Sequence, residues 1–109
     1  MVEVNFFTRE NLLYGYEIKG HSGFDVAGSD IVCASVSSVS IMVANTITDV
    51  MKITADAESY DGFLRLEVLT EDGIQESQNI LKGLEVFLTD LSREYPKNVK
   101  VKYGGVRNA

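Results

Sequence analysis

The sequence predicts an α+β fold: a two-layer sandwich of ββαββαβ order, its sheet largely antiparallel and both helices on one face. Three observations carry this. Paired segments of alternating apolar and polar residues lie close enough to form hairpins, and each pair is followed by a long helical stretch. A last alternating segment follows the only proline, Pro96. Hairpins interleaved with helices that share one apolar side are the pattern of an α+β domain.

The elements follow in order. Val2, Val4 and Phe6 alternate with Glu3 and Asn5, predicting a strand to about Phe7, and Thr8 to Asn11 predicts a turn. Leu12 to Lys19 predicts the second strand of the hairpin. Gly20 to Ser29 has three glycines in ten residues and predicts a loop with unusual backbone freedom. Asp30 is a suitable helix N-cap, because its carboxylate accepts from free N–H groups of the first turn. The helix then runs from Ile31 to about Lys52, with Ile31, Val32, Val36, Val39, Val43, Ile47, Val50 and Met51 spread round it as in a helix buried on most sides. Strands over Ile53 to Tyr60 and Phe63 to Leu69 meet at Asp61-Gly62, a pair suited to the positive φ angles of a tight hairpin. Thr70 to Gly73 predicts a turn. A second helix spans Ile74 to Tyr95, with Leu81, Leu84, Leu88, Leu91 and Tyr95 as its inward stripe. Val99, Val101 and Tyr103, alternating with lysines, form the final strand.

The 109 residues suit one domain, 1–109, without internal repeat or linker. Hydrophobic residues at 45% and charged residues at 24% are those of a folded globular chain, which sets disorder aside. A net charge of −6 argues against direct nucleic-acid binding. Lys97, Lys100, Lys102 and Arg107 cluster near the C-terminus, a pattern that also suits a solvated sheet edge. An acid, Glu3, stands where a secretory signal has its basic region, so a cytoplasmic location is expected. The single cysteine fits a reducing compartment. Ile31 to Thr48 is uncharged, but its serines, threonines and Asn45 are too many for a lipid-facing span. No membrane association is expected.

Chemistry concentrates at the only histidine, His21, and the only cysteine, Cys33. With Asp30 as cap, Cys33 is the third helical residue, where free N–H groups and the positive end of the helix dipole favour a thiolate. The negative charge of Asp30 beside the sulfur opposes that effect. An imidazole on the glycine-rich loop can take the thiol proton, and the N–H groups can stabilise an oxyanion. Asp30, Cys33, Ser37, Ser40 and Ala44 recur every three or four residues. That small-residue face suits either close approach of a substrate backbone or packing of the helix on its neighbours. A lone cysteine in an apolar helix is also compatible with a buried hydrophobe. With one histidine and one cysteine, no metal or other cofactor is expected.

Gly20-His21 followed by Gly28-Ser29-Asp30-Ile31-Val32-Cys33-Ala34-Ser35-Val36-Ser37 resembles the signature of the Prp family, the YsxB-like ribosomal-processing cysteine proteases. The family pattern is a G-H, a short glycine-containing loop, then D-I-V-C-A-x-V-S. Ser22 and Ser35 stand where small alanine-like residues are common. The resemblance implies a Cys–His dyad of Cys33 and His21, with Asp30 and Ser37 in supporting places. It also implies that Gly20, Ser22, Gly23, Phe24 and Gly28 belong to a substrate-covering loop. The implied substrate is the precursor of the bacterial ribosomal protein of the L-twenty-seven family, whose short N-terminal extension is removed after apolar and aromatic residues. A homodimer is implied as well. The rival from another class is a non-catalytic, ribosome-associated domain that binds the same apolar segment. A redox protein is disfavoured by the lack of a second cysteine.

Overall fold

A computed structural model describes residues 1–20 and 29–105. Its elements are β1 (Val2–Arg9), β2 (Leu12–Lys19), α1 (Ser29–Asn45), a π-helical turn (Thr46–Val50), β3 (Ala55–Tyr60), β4 (Phe63–Val68), α2 (Glu71–Glu94) and β5 (Val99–Gly104). The strands form a five-stranded sheet of order β3-β4-β2-β1-β5. All neighbours are antiparallel except β1 and β5, which run parallel because α2 carries the chain back across the sheet before β5 begins. The ββαββαβ order and the two-layer α+β architecture are those expected.

One sheet face is closed by both helices. Val2, Val4, Phe6, Tyr16, Ile18, Leu66 and Val68 meet Val32, Val36, Val43 and Ile47 of the first helical segment and Ile74, Leu81, Leu84 and Leu88 of α2. Burying each of these larger aliphatic side chains contributes about 2 kcal/mol. The other face carries ion pairs, Lys102–Glu3 at 3.3 Å and Arg65–Glu67 at 2.6 Å among them. Phe7 and Phe63 are apolar residues on that face, Phe7 with the Arg65 guanidinium 5.7 Å from its ring centroid.

α2 begins at Glu71, ahead of the expected Ile74, because the Thr70 hydroxyl accepts from the Gly73 amide at 2.9 Å and caps it. Gly73 is therefore helical rather than part of a turn. Its lack of a side chain answers close approach: a Cβ would stand 2.7 Å from both Ile53 Cγ2 and Thr70 Oγ1.

The first helix departs further from expectation. It is α-helical only to Asn45, then widens into the π-helical turn, and the chain reverses at Lys52 with φ +58°. The buried Tyr16 hydroxyl donates to the Ser40 carbonyl at 2.7 Å and accepts from the Ala44 amide, standing in an i,i+4 step of the ladder. Thr46 and Thr48 hydroxyls bond back to Met42 and Ala44 carbonyls, which loosens the same stretch. Burial holds the Tyr16 phenol far above its ordinary pKa, so it remains a donor. Tyr16→Phe is expected to lower stability by about 1–2 kcal/mol, read as a fall in the urea midpoint. An unchanged midpoint would show that the bridge contributes nothing.

Nor is this helix buried on most sides. Its inward stripe is committed to the core, but Ile31 is 71% exposed, Met42 52% and Val50 75%. Ile31–Val50 is long and apolar enough to cross a membrane by length and composition, yet Val32, Val36, Val43 and Ile47 are buried against the sheet and α2.

The hairpin turns also differ from the expected assignment. At Asp61-Gly62 only Gly62 takes positive φ, +78°, whereas Glu10 and Asn11 are both left-handed, at +52° and +68°. Glutamate has no local compensation there. Replacing Glu10-Asn11 by Asn-Gly is expected to raise stability by about 1 kcal/mol, seen as a higher thermal midpoint.

Candidate active site

The backbone of Ser29 and Asp30 is already helical. Asp30 therefore lies in the first turn of α1 and is not its cap, and Cys33 is the fifth residue of the helix rather than the third. The free amides of the helix start consequently belong to residues before Cys33, and its own N–H lies within the ladder. Helix polarity still favours negative charge at this end.

Cys33 is partly exposed. With Ser37 and Ile41, one and two turns further along α1, it forms one wall of a cleft of about 220 Å³. Ile18 and Gly20 at the end of β2, and Ser59 to Leu64 at the tip of the β3–β4 hairpin, complete the lining. The structure thus brings Cys33 and Ser37 together. Ser40 and Ala44 continue the same stripe along α1 but are buried, because there the helix packs into the core. The expected small-residue stripe therefore serves both purposes, opening the cleft at one end and packing at the other. The Ser40 hydroxyl is fully buried and has no hydrogen-bond partner among the described residues.

Gly20 fixes the floor of this cleft. Its φ is +95°, its amide donates to the Gly62 carbonyl at 2.9 Å, and a Cβ would stand 2.5 Å from the Met1 carbonyl oxygen. Only glycine satisfies all three conditions where the chain leaves the sheet. His21, Ser22, Gly23, Phe24 and Gly28 lie outside the described residues, as does the side chain of Asp30.

The hairpin tip was not among the residues singled out from sequence. Tyr60 and Phe63 stack across the Asp61-Gly62 turn, with ring centroids 4.7 Å apart and planes at 16°. Aromatics flanking a two-residue turn are visible in the sequence; the register sets both side chains on the sheet face away from the helices, so it is the tip of the hairpin that borders the cleft. Ile18, Ile41 and Leu64 give the cleft apolar side chains, interspersed with Ser37, Ser59 and Asp61. A larger groove of about 620 Å³ lies on the sheet face away from the helices, and its Glu3, Lys102 and Arg65 are engaged in ion pairs. Among the described residues no group of three His, Cys, Asp or Glu side chains is placed to hold a metal ion.

A partly exposed thiol near a helix start, opening on a cleft of mixed polarity beside a hairpin, defines a two-layer α+β protein equipped for chemistry at sulfur. The family model of the cysteine protease Prp matches residues 1–100, and the chain belongs to that family. The ribosomal processing cysteine protease Prp of Bacillus subtilis (strain 168) is 28% identical over 95 residues, 82% of this chain and 84% of the relative. Prp from S. aureus with a covalently linked product peptide superposes with a TM-score of 0.80 at 26% identity, covering 94% of this chain and 99% of that one. The same S. aureus protease in complex with a substrate peptide gives 0.82 at 24% identity over the same shares. SMU.848 from Streptococcus mutans gives 0.78 at 24% identity, over 96% and 95%; at that identity the likeness is one of fold.

Proposed function

We propose that this chain, working as one domain, is a cysteine endopeptidase that removes the short N-terminal extension of the bacterial L-twenty-seven ribosomal protein. The observation that supports this most is Cys33 at the wall of a cleft lined in part by Ile18, Ile41 and Leu64, in a chain that matches the Prp family over residues 1–100. The relatives named for ribosomal processing and for a bound substrate peptide support the choice of substrate.

In the proposed reaction His21 accepts the Cys33 proton, and the thiolate attacks the scissile carbonyl. A C–S bond forms and the C–O π pair moves to oxygen, where amides of the first turn of α1 stabilise it. Collapse breaks the C–N bond, and the imidazolium gives its proton to the leaving amine. Water, deprotonated by His21, then hydrolyses the thioester and restores the thiol. Asp30 and Ser37 support this arrangement, Ser37 from one helical turn along the cleft wall. Gly20, at the cleft floor, leads into the loop of Ser22, Gly23, Phe24 and Gly28 that covers the substrate. We assign the cytoplasm as its place of action and a homodimer as its working form.

Mass spectrometry after incubating the chain with the full-length ribosomal precursor tests the proposal. The expected result is release of the extension as a separate fragment. Tight binding of the extension with the precursor left whole would instead identify a non-catalytic ribosome-associated domain.

A further inference from the structure

The two edges of the sheet are built differently. β5, at one edge, carries exposed Lys100 and Lys102, charges that discourage another strand from pairing. β3, at the other, has neither lysine nor proline, and its register with β4 runs unbroken from Ala55↔Val68 to Tyr60↔Phe63. Its acidic residues, Asp56 and Glu58, repel only a partner of like charge.

The register also fixes which backbone groups are free to pair. The Leu69 amide donates to the Thr54 carbonyl at 3.0 Å, and the Asp61-Gly62 turn closes Tyr60 against Phe63. Antiparallel alternation then assigns Asp56, Glu58 and Tyr60 to the β4 ladder, and turns the N–H and C=O groups of Ala55, Ala57 and Ser59 outward. These small residues oppose Val68, Leu66 and Leu64, so their side chains lie on the helix side of the sheet, where Ala57 and Ser59 are exposed. Asp56 and Glu58 lie on the other face. The strand ends at Ser59 and Tyr60, which line the cleft with Cys33.

We infer that an extended substrate segment pairs with the outer edge of β3 as a sixth strand and is led by it to Cys33. This rests on the peptidase assignment above and specifies how the substrate is read. Main-chain bonds to Ala55, Ala57 and Ser59 supply affinity without regard to sequence. Pattern comes from the two faces: apolar side chains fill the space beside the small residues and Ile41, and alternate with basic side chains that face Asp56 and Glu58.

A capped octapeptide of alternating leucine and lysine, added to the Cys33→Ala chain, tests this without turnover. Amide exchange at Ala57 and Ser59 is expected to slow by about fivefold or more, with β5 amides unaffected. Ala57→Pro removes an outward donor without touching the β4 ladder, and is expected to weaken binding by about tenfold while the thermal midpoint holds. Asp56→Lys with Glu58→Lys is expected to reverse the preference, so that a leucine–glutamate octapeptide binds about tenfold better than the leucine–lysine one. Absence of binding, exchange slowed equally at β5, or affinity indifferent to these variants would overturn edge pairing. Failure of the peptidase assignment shows separately, as precursor left whole by the unsubstituted chain.

Discussion

Cys33→Ser and His21→Ala are each expected to lower kcat/KM for the precursor junction by about a thousandfold or more, while leaving the fold intact. Cys33 sits at the rim of the core and is partly exposed, so exchanging sulfur for oxygen is expected to change stability by about 1 kcal/mol or less. A serine hydroxyl is a far weaker nucleophile than a thiolate at neutral pH. Because thiol and imidazole act as a unit, the double variant is expected to be little worse than either single one. Turnover of the junction peptide, set beside urea unfolding of each variant, separates lost chemistry from lost structure. Full cleavage by Cys33→Ser would remove Cys33 from the mechanism.

Gly15→Val is expected to cost more than about 3 kcal/mol, and so to leave little folded protein in a urea titration. Gly15 lies in β2 between Phe7 of β1 and Glu67 of β4. A Cβ there would collide with the Leu66 carbonyl oxygen and stand 2.9 Å from Phe7 Cδ2 and 3.0 Å from the Glu67 Cα. Two of those atoms are backbone in a paired strand, so neither can move without breaking the sheet. Gly83 on α2 is the contrasting case, since a Cβ there meets nothing within 4 Å. Gly83→Ala is expected to stabilise the helix by about 0.5–1 kcal/mol. A mild effect at Gly15, or a loss at Gly83, would contradict the packing described.

Alternation and helical periodicity are local properties, which is why the element order and the Leu12–Lys19 limits of β2 were legible in the sequence. Features set by distant groups were not. The end of regular α-helix at Asn45 reflects the Tyr16 hydroxyl standing between Ser40 and Ala44, a contact that crosses from sheet to helix. The early start of α2 depends on the Thr70 cap, and Gly73 resembles a turn residue until Ile53 and Val68 are seen packed against it. Apolar content alone made the first helix resemble one buried all round, but a two-layer domain covers only its sheet side. At the site, Cys33 and Ser37 were legible because they share a helix face. Ile41 and the tip of the β3–β4 hairpin joined them only once β4 had paired with β2 and α1 had packed on the sheet.

Chemistry at Cys33 is tested most directly by catching the acyl intermediate. The chain is mixed with an activated-ester form of the junction peptide, so that acylation outruns hydrolysis, quenched in acid and weighed intact. The expected result is one acyl group per chain, mapped to Cys33, released by neutral hydroxylamine and missing from Cys33→Ala. Turnover of the ester with the acyl group on another residue, or equal turnover by Cys33→Ala, would contradict the assignment.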